Sequence, residues 1–253
     1  MFERLSRSWQ LVKASASVLR ADKALMLFPV MSSLATLLVL ATFALPVFAL
    51  KLFDHGFNVV GALVGFAFYF CQYAVIVFFN SALVGAATIR LEGGDPTVSD
   101  GLRIARSKAL PILGYAAIAA TVGMVLRAIQ ERAGFVGRLV SGALGVAWTL
   151  ASFLVVPVLV TRDIGPVDAV KESALLLKKT WGENLIGQGG VGLLFGLLFF
   201  ALVLLGGAAI IAVATTGNGV LTGLVVAIVI IAMLLAALIQ AALSGIYSAA
   251  LYR

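Results

Sequence analysis

Charged residues are scarce in this sequence. Only 11% of its 253 residues are charged, whereas 62% are hydrophobic. A soluble domain of this length needs about 25% charged residues, so most of the surface is expected to face lipid. The net charge of +7 then fits basic loops held against anionic lipid. Nucleic-acid binding is not expected, because no basic patch is interleaved with aromatic residues on a soluble module.

Cysteine and histidine are almost absent. The single cysteine, Cys71, cannot form an intrachain disulfide, and in its apolar stretch a thiol packs as a small hydrophobic group. The single histidine, His55, follows Asp54, but no nucleophile or metal partner is near it in the sequence. We therefore expect a pair of solvated loop residues rather than a general base. No metal site, cofactor or catalytic residue is predicted.

Long apolar segments predict six membrane-spanning helices, since about 20 apolar residues cross a bilayer. The segment from Leu185 to Tyr252 has no charged residue and is too long for one span. Asn218-Gly219 is a strong turn signal that divides this segment into a hairpin. The sequence thus predicts an all-α, polytopic six-helix transmembrane bundle that forms a single domain over residues 1–253. The predicted spans cover residues 24–50, 57–88, 110–126, 139–161, 185–214 and 220–247.

The distribution of Lys and Arg predicts the orientation of these spans. Most basic residues lie in the N-terminal segment, in the loop between spans two and three, and in the loop between spans four and five. The positive-inside rule places these segments, and with them both termini, in the cytoplasm.

Three segments on the predicted cytoplasmic side have the apolar spacing of an amphipathic interfacial helix. In residues 1–23, apolar side chains recur three and four positions apart, and Trp9 is the expected interfacial anchor. Residues 166–181 repeat the pattern with Trp181 as the anchor, and residues 99–109 form a weaker version with Ser99 or Asp100 as N-cap. Each segment precedes a helical hairpin. Either duplication or a common topology accounts for the likeness of these three units.

The polar residues inside the predicted spans are amides and hydroxyls rather than ionisable groups. The lack of an intramembrane acid argues against the proton relay or buried ion pair of many coupled transporters. We expect these side chains to form hydrogen bonds between helices, with the lining of a solute path as the alternative. The candidate positions are Gln72, Asn80, Gln188, Gln240 and Ser244.

Pairs of small residues four positions apart predict close helix packing. Such pairs bring backbones together either within one chain or between two chains. The pairs are Gly61 with Gly65, Ser141 with Gly145, and Gly192 with Gly196.

Two stretches resemble a pattern found in several bacterial membrane families. One runs from Asn80-Ser81-Ala82-Leu83 through Gly93-Gly94 to the helix at Ser99, and the other from Val156-Pro157 through Gly165-Pro166 to Trp181. The chain is similar to a loose group that contains YciC-like proteins, the membrane domains of some glycerophosphodiester phosphodiesterases, and a bacterial six-helix family of unknown function. The resemblance implies architecture and a bacterial inner (plasma) membrane. It carries over no functional residue, because the phosphodiesterase catalytic domain is a separate soluble barrel.

These features favour a non-enzymatic integral membrane protein that serves as a scaffold, an assembly component or a lipid-interacting component. Its expected partners are membrane lipids and a second copy of the chain or another membrane protein. The alternative is a transporter or channel for a lipidic or weakly polar solute. A membrane enzyme is disfavoured, because only interfacial acids such as Asp95 and Asp163 are available for chemistry.

Overall fold

The computed structural model describes residues 2–49, 59–132 and 134–252. These residues form α-helices and one short 3-10 helix, Lys23–Met26, and no strand occurs among them. The α-helices are α1 Phe2–Ala21, α2 Leu27–Ala49, α3 Val59–Leu91, α4 Val98–Ser107, α5 Ala109–Arg132, α6 Gly134–Ser152, α7 Val155–Thr161, α8 Pro166–Ala214 and α9 Gly219–Tyr252. His55 and Asp54 lie outside the described residues.

Six helical segments are long and apolar enough to cross a membrane, which confirms the predicted all-α, multi-pass fold. Six crossings bring α1 and the end of α9 to the same side of the bilayer, which we call the terminal side. The segments are Lys23–Leu45, Val59–Leu91, Ala109–Glu131, Gly137–Thr161, Gly190–Ala214 and Gly219–Tyr252.

Helix α8 differs from the prediction. The two helices expected over residues 166–181 and 185–214 are one continuous helix of 49 residues. At 1.5 Å per residue it is about 74 Å long, whereas the hydrocarbon layer is about 30 Å thick. Gly182 between the two predicted helices and the glycines from Gly187 onwards do not interrupt α8, since a glycine costs a helix only about 1 kcal/mol. Part of α8 therefore lies outside the hydrocarbon layer.

The buried core lies near the terminal side. Most of the almost fully buried side chains come from the end of α3, from α7 with the turn before it, and from the end of α9. Towards the opposite side, α8 and α9 expose leucine and isoleucine side chains, which is stable in a membrane because lipid tails are as apolar as leucine. Representative core residues are Leu83, Val84, Leu154, Val158, Ile246 and Tyr247.

Helix α4 is anchored by a capping box and a close glycine contact. The Thr97 hydroxyl accepts a hydrogen bond from the Asp100 amide at 3.2 Å, and the Asp100 carboxylate accepts one from the Thr97 amide at 2.9 Å. The N-cap is thus Thr97, and the prediction of Ser99 or Asp100 is wrong. A Cβ at Gly101 would lie 2.6 Å from the Ala82 carbonyl oxygen and 2.5 Å from the Phe28 ring, so only glycine allows this approach of α4 to α3.

The fourth span is divided into α6 and α7 by a turn at Phe153 and Leu154. Pro157 causes this break, because its ring would clash with the Phe153 carbonyl four residues earlier and it has no amide hydrogen to donate. The Leu154 amide instead donates to the Ser173 hydroxyl of α8 at 3.0 Å. Both residues are buried, so this bond satisfies a polar group that water does not reach.

The start of α8 and helix α4 share details beyond their sequence likeness. Each has an acid that pairs with a base three residues later, in Asp100–Arg103 and Asp168–Lys171. Each packs on the end of the helix that precedes it, α4 on α3 and α8 on α7. The residues that follow the two acids, Gly101 and Ala169, are both buried. Duplication and common topology both account for this likeness.

Candidate functional site

The predicted intramembrane amides face different neighbours. Gln72 of α3 donates from Nε2 to the Thr36 carbonyl of α2 at 3.5 Å, a long hydrogen bond between two spans. Its Oε1 atom is buried and has no hydrogen-bond partner among the described residues. Gln72 therefore joins α2 to α3 and retains one unused acceptor.

Asn80 faces the last span instead. A Cβ at Gly245 of α9 would lie 3.1 Å from Asn80 Oδ1 and 2.5 Å from Leu83 Cδ2. Ser244 and Gln240 of α9 are half-buried. The structure thus brings Asn80 to the Gly245 region, at a helix interface other than that of Gln72.

Three predicted positions have side chains outside the described part of the structure: Gln188, Trp9 and Trp181. Their backbones lie in α8 and α1. The proposed roles of these side chains stay predictions.

Tyrosines form a polar line that sequence reasoning missed. Arg127 Nη1 of α5 donates to the Tyr69 hydroxyl of α3 at 3.0 Å, and Arg127 Nε pairs with Glu131 at 2.7 Å. One turn further along α3, Tyr73 points to α5, where its hydroxyl would lie 3.5 Å from a Cβ at Gly123. The four-residue spacing of Tyr69 and Tyr73 was the available signal, because it places both phenols on one helix face.

The tyrosine line continues into α6. Tyr115 of α5 is buried, and its ring stacks on Trp148 with a centroid separation of 6.5 Å. The Ser152 hydroxyl lies beside the Tyr115 phenol. Together these contacts hold α3, α5 and α6 through polar and aromatic groups. No group of three potential metal ligands occurs in the part of the chain that the structure describes.

A network of charged groups joins four segments on the terminal side. Arg162 donates from Nε to the Tyr252 hydroxyl at 2.9 Å and pairs with Glu172 at 3.0 Å. Lys108 donates to the Arg162 carbonyl and to Asp163, each at 3.2 Å. The hydrogen bond that Arg162 donates to the Tyr252 hydroxyl raises the pKa of Arg162, so its guanidinium stays charged. The network ties the loop after α7 to α8, α9 and the junction of α4 with α5.

An apolar groove lies between α3 and the first turn of α5. Its volume is about 250 Å³. None of the predicted amides lines it. Its wall consists of Ala74, Val75, Phe78 and Phe79 of α3 with Ala109, Ile112 and Leu113 of α5.

The predicted small-residue pairs have unequal surroundings. A Cβ at Gly192 or Gly196 of α8, or at Gly65 of α3, would meet no described atom within 4 Å, and one at Gly145 would only touch Leu126 at 4.0 Å. Their pair members Gly61 and Ser141 are buried.

Other glycines make the close contacts between helices. A Cβ at Gly206 of α8 would lie 2.8 Å from Val229 of α9, and one at Gly85 of α3 would lie 2.9 Å from Ile104 of α4. Among the described residues, no atom comes close to the pair Gly192 and Gly196.

The fold and these sites define a multi-pass, all-helical membrane protein whose core lies at one membrane surface. Residues 59–253 match a family of unknown function, DUF6159. Because the match covers more than half of the chain, the protein belongs to this family. No curated protein and no solved structure matches the chain.

Proposed function

We propose that this protein is a non-enzymatic scaffold of a bacterial inner membrane, which assembles through α8 with a second copy of the chain or with another membrane protein. The observation that carries the proposal is the open glycine pair at Gly192 and Gly196. Small residues four apart let two helices approach closely in a membrane. The neighbouring Val191 and Phe195 are buried, so they face the chain's own bundle while the two glycines face outwards.

The surroundings of this pair support packing against another helix. Leu193 and Leu197 are 68% and 62% exposed. A helix laid along the glycines would contact these leucines and gain the dispersion energy that drives association between spans.

The proposed orientation places the terminal side in the cytoplasm. The basic segments of the chain lie on this side, as the positive-inside rule requires of cytoplasmic loops. The proposed relation to YciC-like proteins and to phosphodiesterase membrane domains concerns architecture alone.

The proposal is tested by substitution of the glycine pair. In the Gly192→Leu/Gly196→Leu variant, the new side chains separate the helices, and we expect the assembled fraction in mild detergent to fall. The control is Ala209→Leu, which adds similar bulk at an exposed position of α8, about 220° around the helix from Gly196 at 100° per residue. Sedimentation velocity measures the assembled fraction. A wild-type protein that sediments as a monomer without a protein partner contradicts the proposal.

A second candidate function is transport of a lipidic or weakly polar solute, and one observation favours it. The Gln72 carbonyl oxygen and the Ser81 hydroxyl are buried without hydrogen-bond partners among the described residues. A bound solute would supply partners that the described residues do not provide. Solute uptake into vesicles that falls in Gln72→Leu, while assembly stays intact, would favour this function over the scaffold.

A further inference from the structure

We infer that the apolar groove between α3 and α5 binds one acyl chain of an anionic phospholipid, and that Arg106 holds the phosphate. The inference goes beyond the proposed assembly, because the groove lies on α3 and α5 whereas the open glycine pair lies on α8. The inference is argued from the apolar wall of the groove, from its position in the membrane, and from a charge three residues before its α5 wall.

The wall of the groove excludes water as its occupant. All its side chains are apolar, including Phe78, Phe79 and Ile112. A water molecule needs two to four polar partners, so an apolar cavity stays dry. The volume of about 250 Å³ exceeds by several times the roughly 30 Å³ that one water occupies in the liquid. The groove thus suits a hydrocarbon chain.

The position of the groove gives lipid chains direct access. Both of its helices belong to segments apolar enough to span the membrane. Leu113 in the wall and Leu110 beside it are 43% and 82% exposed, so the groove opens sideways into the surrounding lipid. Its α5 wall is the first turn of the helix, which places the mouth near the membrane surface on the terminal side.

An unneutralised cation lies close in sequence to the groove. Arg106 is exposed and makes no ion pair with any residue that the structure describes. It precedes the first residue of α5 by three positions, a chain path of at most about 11 Å. Its basic neighbours are already paired, Arg103 with Asp100 and Lys108 with Asp163.

An anionic headgroup fits this charge better than a zwitterionic one. A guanidinium binds a phosphate through two parallel hydrogen bonds. A zwitterionic lipid brings its own cation to the site, whereas an anionic lipid neutralises Arg106 without adding another positive charge.

The test is native mass spectrometry of the full chain after reconstitution in vesicles with equal amounts of phosphatidylcholine and phosphatidylglycerol. We expect the wild type to retain one phosphatidylglycerol per chain in preference to phosphatidylcholine. Arg106→Gln should lower the retained phosphatidylglycerol about fivefold, the effect expected of one basic residue at an anionic surface. The matched control is Arg20→Gln, which removes an exposed arginine on α1. This variant should retain phosphatidylglycerol as the wild type does.

A second variant tests the groove itself. Ala74→Phe places a ring in the groove and should remove bound phospholipid of either kind, whereas Ala143→Phe, at an exposed position on α6, should not. The inference is overturned if the wild type shows no preference between the two lipids, a result that needs no variant. It is also overturned if Arg106→Gln or Ala74→Phe retains phosphatidylglycerol as the wild type does. The same spectra report the number of chains, so loss of lipid is separated from loss of assembly.

Discussion

The break between α6 and α7 supports a prediction about two residues that act together. Pro157 forces the helix open, and the Ser173 hydroxyl accepts the hydrogen bond that the Leu154 amide then offers. The Ser173→Ala substitution leaves this buried amide without a partner. An unsatisfied buried donor costs about 1–3 kcal/mol, and we expect a loss near the lower half of that range.

The partner substitution determines whether this account of the break is right. In Pro157→Ala, the helix is free to close, and the Leu154 amide regains the Leu150 carbonyl as its acceptor. The Ser173 hydroxyl is then no longer needed. We therefore expect Ser173→Ala to cost less than about 0.5 kcal/mol in that background, which gives a coupling energy of about 1 kcal/mol in the double-mutant cycle.

The assay is equilibrium unfolding in mixed micelles, followed by far-ultraviolet circular dichroism. Ser17→Ala is the control, because this exposed hydroxyl donates to the Ala14 carbonyl of its own helix. Its loss should change the free energy of unfolding by less than about 0.5 kcal/mol. Additive effects of Pro157→Ala and Ser173→Ala would refute the reasoning.

Three further predictions concern the packing and capping of α3, α4 and α9. Gly245→Val places atoms against Leu83 and should destabilise the protein by about 1–3 kcal/mol through overpacking. Thermal unfolding measures this loss, and an unchanged unfolding midpoint would contradict the close contact. Thr97→Ala removes the N-cap of α4 and should cost about 0.5–2 kcal/mol, with Thr97→Ser as the control that retains it. Hydrogen bonds from Thr97 lower the pKa of Asp100 below its ordinary value of 3.8. The stability that Asp100 confers is therefore present above that value and lost as the pH falls through the lowered pKa. The difference in free energy of unfolding between the wild type and Asp100→Asn should disappear in that acid range. A difference that stays constant with pH would contradict the role of Asp100 in the capping box.

The sequence was sufficient to predict the all-α fold and the six spans, because long uncharged runs have few alternatives to membrane helices. The position of the hairpin turn was also predictable, since Asn218-Gly219 is a local signal, and the structure begins α9 at Gly219. The continuity of α8 was not, because the glycines near Gly187 weaken a helix without necessarily ending it.

The candidate sites were less predictable, because they depend on which helices become neighbours. Hydropathy identified Gln72 as intramembrane but did not specify Thr36 as its partner. The spacing of Tyr69 and Tyr73 places both phenols on one helix face, but their contacts with α5 arise only in the fold. Likewise, small-residue spacing singled out Gly192 and Gly196 of α8, whereas the glycine of α8 that lies close to Val229 of α9 is Gly206.

The measurement that tests the central claim most directly is native mass spectrometry of the protein gently extracted from its own membrane. The scaffold account predicts a defined homo-oligomer or a stoichiometric complex with a membrane protein, which Gly192→Leu/Gly196→Leu dissociates. A monomer that carries only a tightly held small solute would contradict the account and favour transport.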